Sequence, residues 1–272
     1  MTMTSTGTST GTSTGARRIH IVTGGKYHDF DLARLRLLEL MAEDVRIRAS
    51  CAMDYECLSV LDDCAALVLY TCDLMPSDEQ AATIDAFVRR GGRIMALHAV
   101  NAHLQFTDGP EIVTSGVRIP GLVKSTAEHV CPVFMDLLGS RFVTHLAAQE
   151  IHVHVEDTDH PVTRGLADFT LVDEPYVATP LGDLKVLLTA RYKGLTPGYE
   201  TVEVTDDPPR PQLYVKDHGH GAVLYSPLGH ACGKYDMRPL MEEAPAVRGP
   251  WDDSNYLEIV RRGIAWLAQA TA

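Results

Sequence analysis

Short apolar runs recur along the first hundred residues, each closed by glycine, proline or a polar turn. Residues 19–23 run into Gly24-Gly25, residues 45–51 form a second run, residues 65–71 are apolar almost throughout, and residues 93–97 follow Gly91-Gly92. Runs of this length without strict alternation suit strands covered on both faces. Helical spacing fills the gaps between them. Leu32, Leu35, Leu38 and Leu40 mark the apolar face of a helix over 31–43, with Asp29 or Asp31 as its cap. Pro76-Ser77-Asp78-Glu79 opens a second helix that reaches Arg90, turns Ile84, Phe87 and Val88 inward, and stops at Gly91-Gly92. This alternation predicts right-handed βαβ units in a doubly wound, mainly parallel α/β sheet.

The rhythm changes after His98. Residues 101–131, with Pro110, Pro120 and Gly121, read as an irregular excursion over the crevice, followed by a short helix over 132–138. Strands are expected at 151–155, 170–172, 184–190, 212–216 and 222–226. His218-Gly219-His220-Gly221 separates the last two, predicting an antiparallel hairpin near the C-terminal end with both histidines in solvent. Residues 195–211, rich in proline and acids, read as an exposed loop. Ser254 is expected to cap a final amphipathic helix to about Ala270 that buries Tyr256, Ile259, Ile264 and Leu267. With no internal repeat, residues 17–272 read as one domain behind a Thr/Ser/Gly tail, residues 1–16, that has nothing to bury.

Composition narrows the partners. A net charge of −12 over 272 residues argues against a phosphate-backbone ligand. No stretch approaches the ~20 apolar residues needed to span a bilayer, and the tail lacks the apolar segment of a secretory signal. Six cysteines without a CxxC pair are expected to be buried free thiols in a reducing compartment. The expectation is a cytoplasmic protein with a small-molecule substrate and no nucleic acid or membrane partner; self-association is left open.

Twelve histidines are the chemical surplus of the chain. In open α/β sheets, groups just past the carboxyl ends of strands face the ligand crevice. His98 stands there after the fourth strand, and His28 after the first, in Gly24-Gly25-Lys26-Tyr27-His28-Asp29-Phe30. Gly24 and Gly25 would let the backbone approach a substrate, although the segment is neither GxGxxG nor a P-loop. His230 follows the strand over 222–226 beside Gly229. Asp173-Glu174-Pro175-Tyr176 brings two carboxylates and a phenol to another strand end, with capping or turn formation an adequate account of Asp173. His98, His28, Glu174 and His230 are therefore the catalytic candidates, and Gly24, Gly25, His145, Tyr176 and His103 the substrate-binding ones. His160 and the i,i+2 pair His152 and His154 are weaker candidates, the pair reading as a solvated strand face. Cys72, at the end of the third strand, reads as a buried structural thiol. No HExxH, CxxC pair or GxSxG occurs. No cofactor is assigned; a divalent metal is the alternative, with His98, His145, Glu174 and His230 as its ligands.

In order, Gly24-Gly25 with His28-Asp29-Phe30, Ala96-Leu97-His98-Ala99, Leu138-Gly139-Ser140-Arg141-Phe142-Val143-Thr144-His145, His160-Pro161-Val162-Thr163-Arg164-Gly165-Leu166, Asp173-Glu174-Pro175-Tyr176 and the segment from Gly219 to His230 resemble the trehalose-utilisation (ThuA-like) family over roughly residues 17–270. The terminal helix containing Ile264-Ala265-Trp266 fits the same order. The resemblance implies the flavodoxin-like fold of class I glutamine amidotransferases, with His98 where those enzymes hold a nucleophilic cysteine. An imidazole cannot form the thioester that glutamine hydrolysis needs. The resemblance also implies carbohydrate metabolism. The leading expectation is an enzyme acting on a sugar or keto-sugar-like molecule by His/Glu acid–base chemistry, through isomerisation, elimination or hydrolysis. A metal-dependent hydrolase and a noncatalytic sugar-binding or regulatory module are the alternatives.

Overall fold

Nine strands join in one sheet in the computed structural model, which describes residues 15–114 and 116–269. In chain order the principal elements are β1 (Arg17–Gly25), α1 (Phe30–Ala42), β2 (Ile47–Ala52), β3 (Ala66–Cys72), α2 (Asp78–Arg89), β4 (Arg93–Leu97), α3 (Pro132–Leu138), β5 (Ser140–His145), β6 (Gln149–Val155), β7 (Phe169–Asp173), β8 (Tyr176–Pro180), β9 (Lys185–Ala190), β10 (Arg210–His218), β11 (Gly221–Ser226) and α4 (Ser254–Leu267). The sheet order is β7-β6-β9-β10-β11-β4-β3-β1-β2. From β2 to β11 all neighbours are parallel. From β11 outward to β7 they alternate in direction. The parallel part runs in the flavodoxin-like order, whose switch point lies between β1 and β3.

Strand side chains alternate between two cores. Ala66, Val68 and Tyr70 of β3 face α1 and α4, where they meet Leu37, Met41, Ile259 and Ile264. Leu67 and Leu69 face α2 and α3 and meet Ile84, Phe87, Phe134 and Leu137. Helices thus cover both faces. α2 begins with a capping box: Ser77 Oγ accepts from Gln80 N at 3.2 Å, and Ser77 N donates to Gln80 Oε1 at 2.9 Å. The predicted hairpin joins β10 and β11 across His218–Gly221.

Several local expectations are corrected. Asp29 caps α1, its carboxylate accepting from Leu32 N. The buried face of α1 is Ala33, Leu37, Leu40 and Met41, while Leu35 is 53% exposed. Asp253, not Ser254, caps α4, accepting from Asn255 N and Tyr256 N, and the helix ends at Leu267. Residues 101–131 are not wholly irregular: Gln105–Phe106 pairs with Val123–Lys124, and Ile112–Thr114 with Val117–Ile119. The expected exposed loop over 195–211 carries buried Thr196 and Tyr199 and a short pairing of Gly194–Leu195 with Glu203–Val204. β5 and β8 pair with each other outside the main sheet. His218 is bound to Asp85 at 2.6 Å instead of standing in solvent, while His220 is exposed. Cys51 and Cys57 are exposed thiols. Most of the Thr/Ser/Gly tail lies outside the described residues. Among those described, no helix is long and apolar enough to cross a membrane.

Candidate active site at the carboxyl edge of the sheet

Four chain reversals deliver the site. After β4 the backbone turns through His98, which takes a left-handed φ of +59°, a conformation uncommon outside glycine and often found where function demands it. This elbow drives the ring under the sheet edge, where His98 is fully buried. After β1 the chain turns through Tyr27, also left-handed, and places His28 beside it. After β11, Gly229 adopts φ +130° and releases His230 toward the same point. After β7 comes Glu174. Topology alone therefore gathers residues that are distant in sequence.

Backbone carbonyls fix the rings. His98 Nδ1 lies 2.9 Å from Pro227 O and His28 Nδ1 lies 3.1 Å from Lys26 O. A carbonyl can only accept, so both Nδ1 atoms carry the hydrogen and both Nε2 atoms present lone pairs in the neutral rings. Those two Nε2 atoms are 2.9 Å apart. The Tyr176 hydroxyl stands 3.2 Å from His98 Nε2, to which it can donate. His145 follows the same rule, with Nδ1 on Leu146 O at 2.8 Å and its ring stacked on Tyr176. Glu174 Oε2 lies among them, 3.2 Å from His230 Nδ1, 3.8 Å from His145 Nε2 and 4.0 Å from His98 Nε2. His230 Nδ1 is buried and, despite that 3.2 Å approach, makes no hydrogen bond.

Burial sets the protonation states. It drives the His28 pKa down to about 3 and that of His98 well below its ordinary 6.5, an effect reinforced by the neighbouring rings. Burial alone would raise Glu174, but His145, His230 and His28 outweigh it and hold the carboxyl below its usual range. Burial raises the Tyr176 phenol, which stays protonated. The result is a base-rich centre with a phenolic donor.

Asp173 holds this arrangement in place. Its buried carboxylate accepts from Gly229 N at 2.7 Å, His230 N at 3.1 Å and Glu174 N at 2.8 Å. Burial nonetheless pushes its pKa up to about 8. Tyr70 and Trp251 both donate to Gly229 O at 2.8 Å, so the turn that aims His230 is gripped from both sides. Sequence reasoning treated Asp173 as a simple capping residue; its position between two turns was the missed signal.

The cluster opens into a cavity of about 390 Å³. Its polar end is formed by His28, His145, Glu174, Tyr176 and His230. Its walls include Tyr27, Phe106, Phe142, Tyr199 and Met237. The segments around 104–123 and 237–240 roof it and are tied together by Arg118 N donating to Leu240 O at 2.7 Å. Tyr199 was missed because it lies in a proline-rich loop with no periodic pattern.

Other sequence candidates fall elsewhere. His98 does not line the cavity; its Nε2 meets His28 Nε2 and the Tyr176 hydroxyl behind it. Gly24 and Gly25 also stay out of it. A Cβ at Gly24 would stand 2.0 Å from Met53 O, and one at Gly25 1.9 Å from Cys72 O, so these glycines let the chain pass close to its neighbours. His103 turns away to Asp73, with Nδ1 3.3 Å from Oδ1. His160 packs near Trp266. Cys72 lines the cavity, but burial raises its pKa well above the ordinary thiol value, so it is a poor nucleophile. Two groups have metal-ligand spacing among the described residues: His28, His98, Glu174 and His230 at the site, and the more exposed His152, His154 and Asp168 elsewhere.

Comparison with known proteins agrees with this architecture. No curated protein matches the chain. A ThuA-like protein from Bacteroides uniformis ATCC 8492 superposes with a TM-score of 0.60 at 17% identity, covering 96% of this chain and 95% of its own. A second, from Parabacteroides merdae ATCC 43184, gives 0.59 at 18% identity, covering 93% and 90%. At these identities the likeness speaks for the fold. The family model for ThuA, described as trehalose utilisation, matches residues 18–243, and the chain belongs to that family.

Proposed function

We propose that the protein is an enzyme acting on an uncharged sugar or keto-sugar in the cavity, with Glu174 as general base. The observation that carries this reading is the cavity's polarity. One end holds an ionised carboxylate among three imidazoles and a protonated tyrosine, while the walls are aromatic and aliphatic. Aromatic walls cover the C–H faces of a sugar ring, and a cluster of acceptors with the phenols of Tyr27, Tyr176 and Tyr199 suits its hydroxyls. The described lining residues include no lysine or arginine to balance a phosphate. Membership in a trehalose-utilisation family supports a carbohydrate substrate. In this reading Glu174 takes a proton from a hydroxyl or from a carbon beside a carbonyl, Tyr176 polarises the developing oxyanion, and His145 holds a hydroxyl.

The test is a panel of disaccharides, their keto derivatives and sugar phosphates, read by thermal stabilisation and by product analysis. Stabilisation and turnover with neutral sugars, and loss of turnover by about 100-fold or more in Glu174→Gln with the fold retained, are expected. Wild-type turnover in Glu174→Gln, or a preference for sugar phosphates, overturns the reading.

A further inference from the structure

We infer that His28, His98, His230 and Glu174 form a binding site for one divalent transition-metal ion at the inner end of the cavity. The argument starts with the two facing nitrogens. His28 Nε2 and His98 Nε2 stand 2.9 Å apart, and both rings already spend their Nδ1–H on backbone carbonyls. Two lone pairs therefore point at each other in a buried place, which is repulsive unless something cationic lies between them. Tyr176 can donate to His98 Nε2, but that leaves His28 Nε2 bare. A proton shared by the pair satisfies these two nitrogens only. It leaves His230 Nδ1, buried and without a hydrogen bond, turned toward Glu174 Oε2 at 3.2 Å.

A metal ion accounts for all four groups at once. Their ligand atoms lie within 4.8 Å of one another, and donors around an ion bound at about 2.0–2.2 Å stand roughly 3.3 Å apart in a tetrahedral shell. The carbonyls of Pro227 and Lys26 hold the tautomers that a metal requires, as second-layer partners do in histidine sites. Asp173 does the same for the backbone at His230 and Glu174. Imidazole-rich donors with one carboxylate favour zinc, iron or a similar ion over magnesium or calcium. The site also explains His98, a titratable ring that is fully buried and touches no cavity space. A ligand can be buried behind its ion, whereas a base must reach substrate. Each residue gives the ion one atom, so one oxygen of Glu174 would stay free for proton transfer while the ion polarised a sugar oxygen at the cavity's inner end.

The metal stands on ligand geometry, independent of what fills the cavity, and the experiment keeps the two apart. The full chain is stripped with chelator, and zinc and cobalt(II) are each titrated in, with visible absorption of cobalt and elemental analysis as readouts. One equivalent should bind, with affinity reduced about 100-fold or more in Glu174→Gln and in His230→Gln, each checked for folding by circular dichroism. Replacing His152 and His154 by glutamine should leave the stoichiometry unchanged. The inference is overturned by the absence of saturable binding, by undiminished binding in both site variants, or by loss of the ion in the His152/His154 variant. Sugar stabilisation measured on stripped protein then reports on the substrate reading by itself: it survives a missing metal, and its failure leaves the metal result standing.

Discussion

At His98 a backbone angle and two ring nitrogens serve one purpose. The left-handed turn buries the ring, Pro227 fixes its tautomer, and Nε2 is left to meet His28 and Tyr176. Its role can be separated from its packing by the choice of substitution. His98→Ala removes a fully buried ring and should cost on the order of 3 kcal/mol through the cavity it leaves. Asparagine tolerates the left-handed region better than other residues, so His98→Asn should keep more of the stability while losing Nε2. Urea denaturation should rank wild type above Asn and Asn above Ala, with both variants losing turnover. An alanine variant as stable as wild type would show that the ring contributes nothing to packing. Much of this site was legible in the sequence, because strand-end histidines and Glu174 converge by topology. The facing lone pairs were not, since they depend on carbonyls at Lys26 and Pro227 that no motif encodes.

The elements follow hydrophobic spacing where that spacing admits one solution. β3 is apolar throughout and α2 carries a complete capping box, so both were readable. α1 contains leucines at so many positions that more than one face fits the period. The sequence favoured a stripe through Leu35, but packing against β1 and α4 selects Ala33, Leu37, Leu40 and Met41. Leu37→Ala should therefore destabilise by about 2–5 kcal/mol, whereas Leu35→Ala should change stability by no more than about 0.5 kcal/mol. Equal losses in the two variants, measured by chemical denaturation, would contradict this orientation. β5 and β8 escaped notice because they pair with each other, and sequences such as Ala178-Thr179-Pro180 carry no strong strand period. The cavity roof was legible only as an excursion over the crevice, since its short pairings join residues whose partners are set by the fold.

Across the whole molecule, folding places several imidazoles where they cannot easily charge, and this sets a direction for stability against pH. His20 and His160 belong neither to the His28, His98, Glu174 and His230 group nor to the cavity lining and offer the cleaner case. His20 Nδ1 meets Ser50 Oγ at 2.8 Å while its Nε2 is buried without a partner. His160 is buried near Trp266, its Nδ1 accepting from Val162 N. Burial lowers both pKa values from the ordinary 6.5. Above pH 6.5 both rings are neutral whether the chain is folded or not, so they contribute no pH dependence. As pH falls below that value the unfolded chain takes up protons that the folded chain refuses, and stability declines until the folded-state pKa values are passed. Buried Asp173, with its pKa raised to about 8, works in the opposite direction over this range, so the histidine contribution is read as a difference. Lowering the pH from 7 to 5 should cost wild type more melting temperature than it costs His20→Asn, whatever the stability of the variant at neutral pH. A pH response in His20→Asn identical to that of wild type would mean that burial of His20 does not contribute to it.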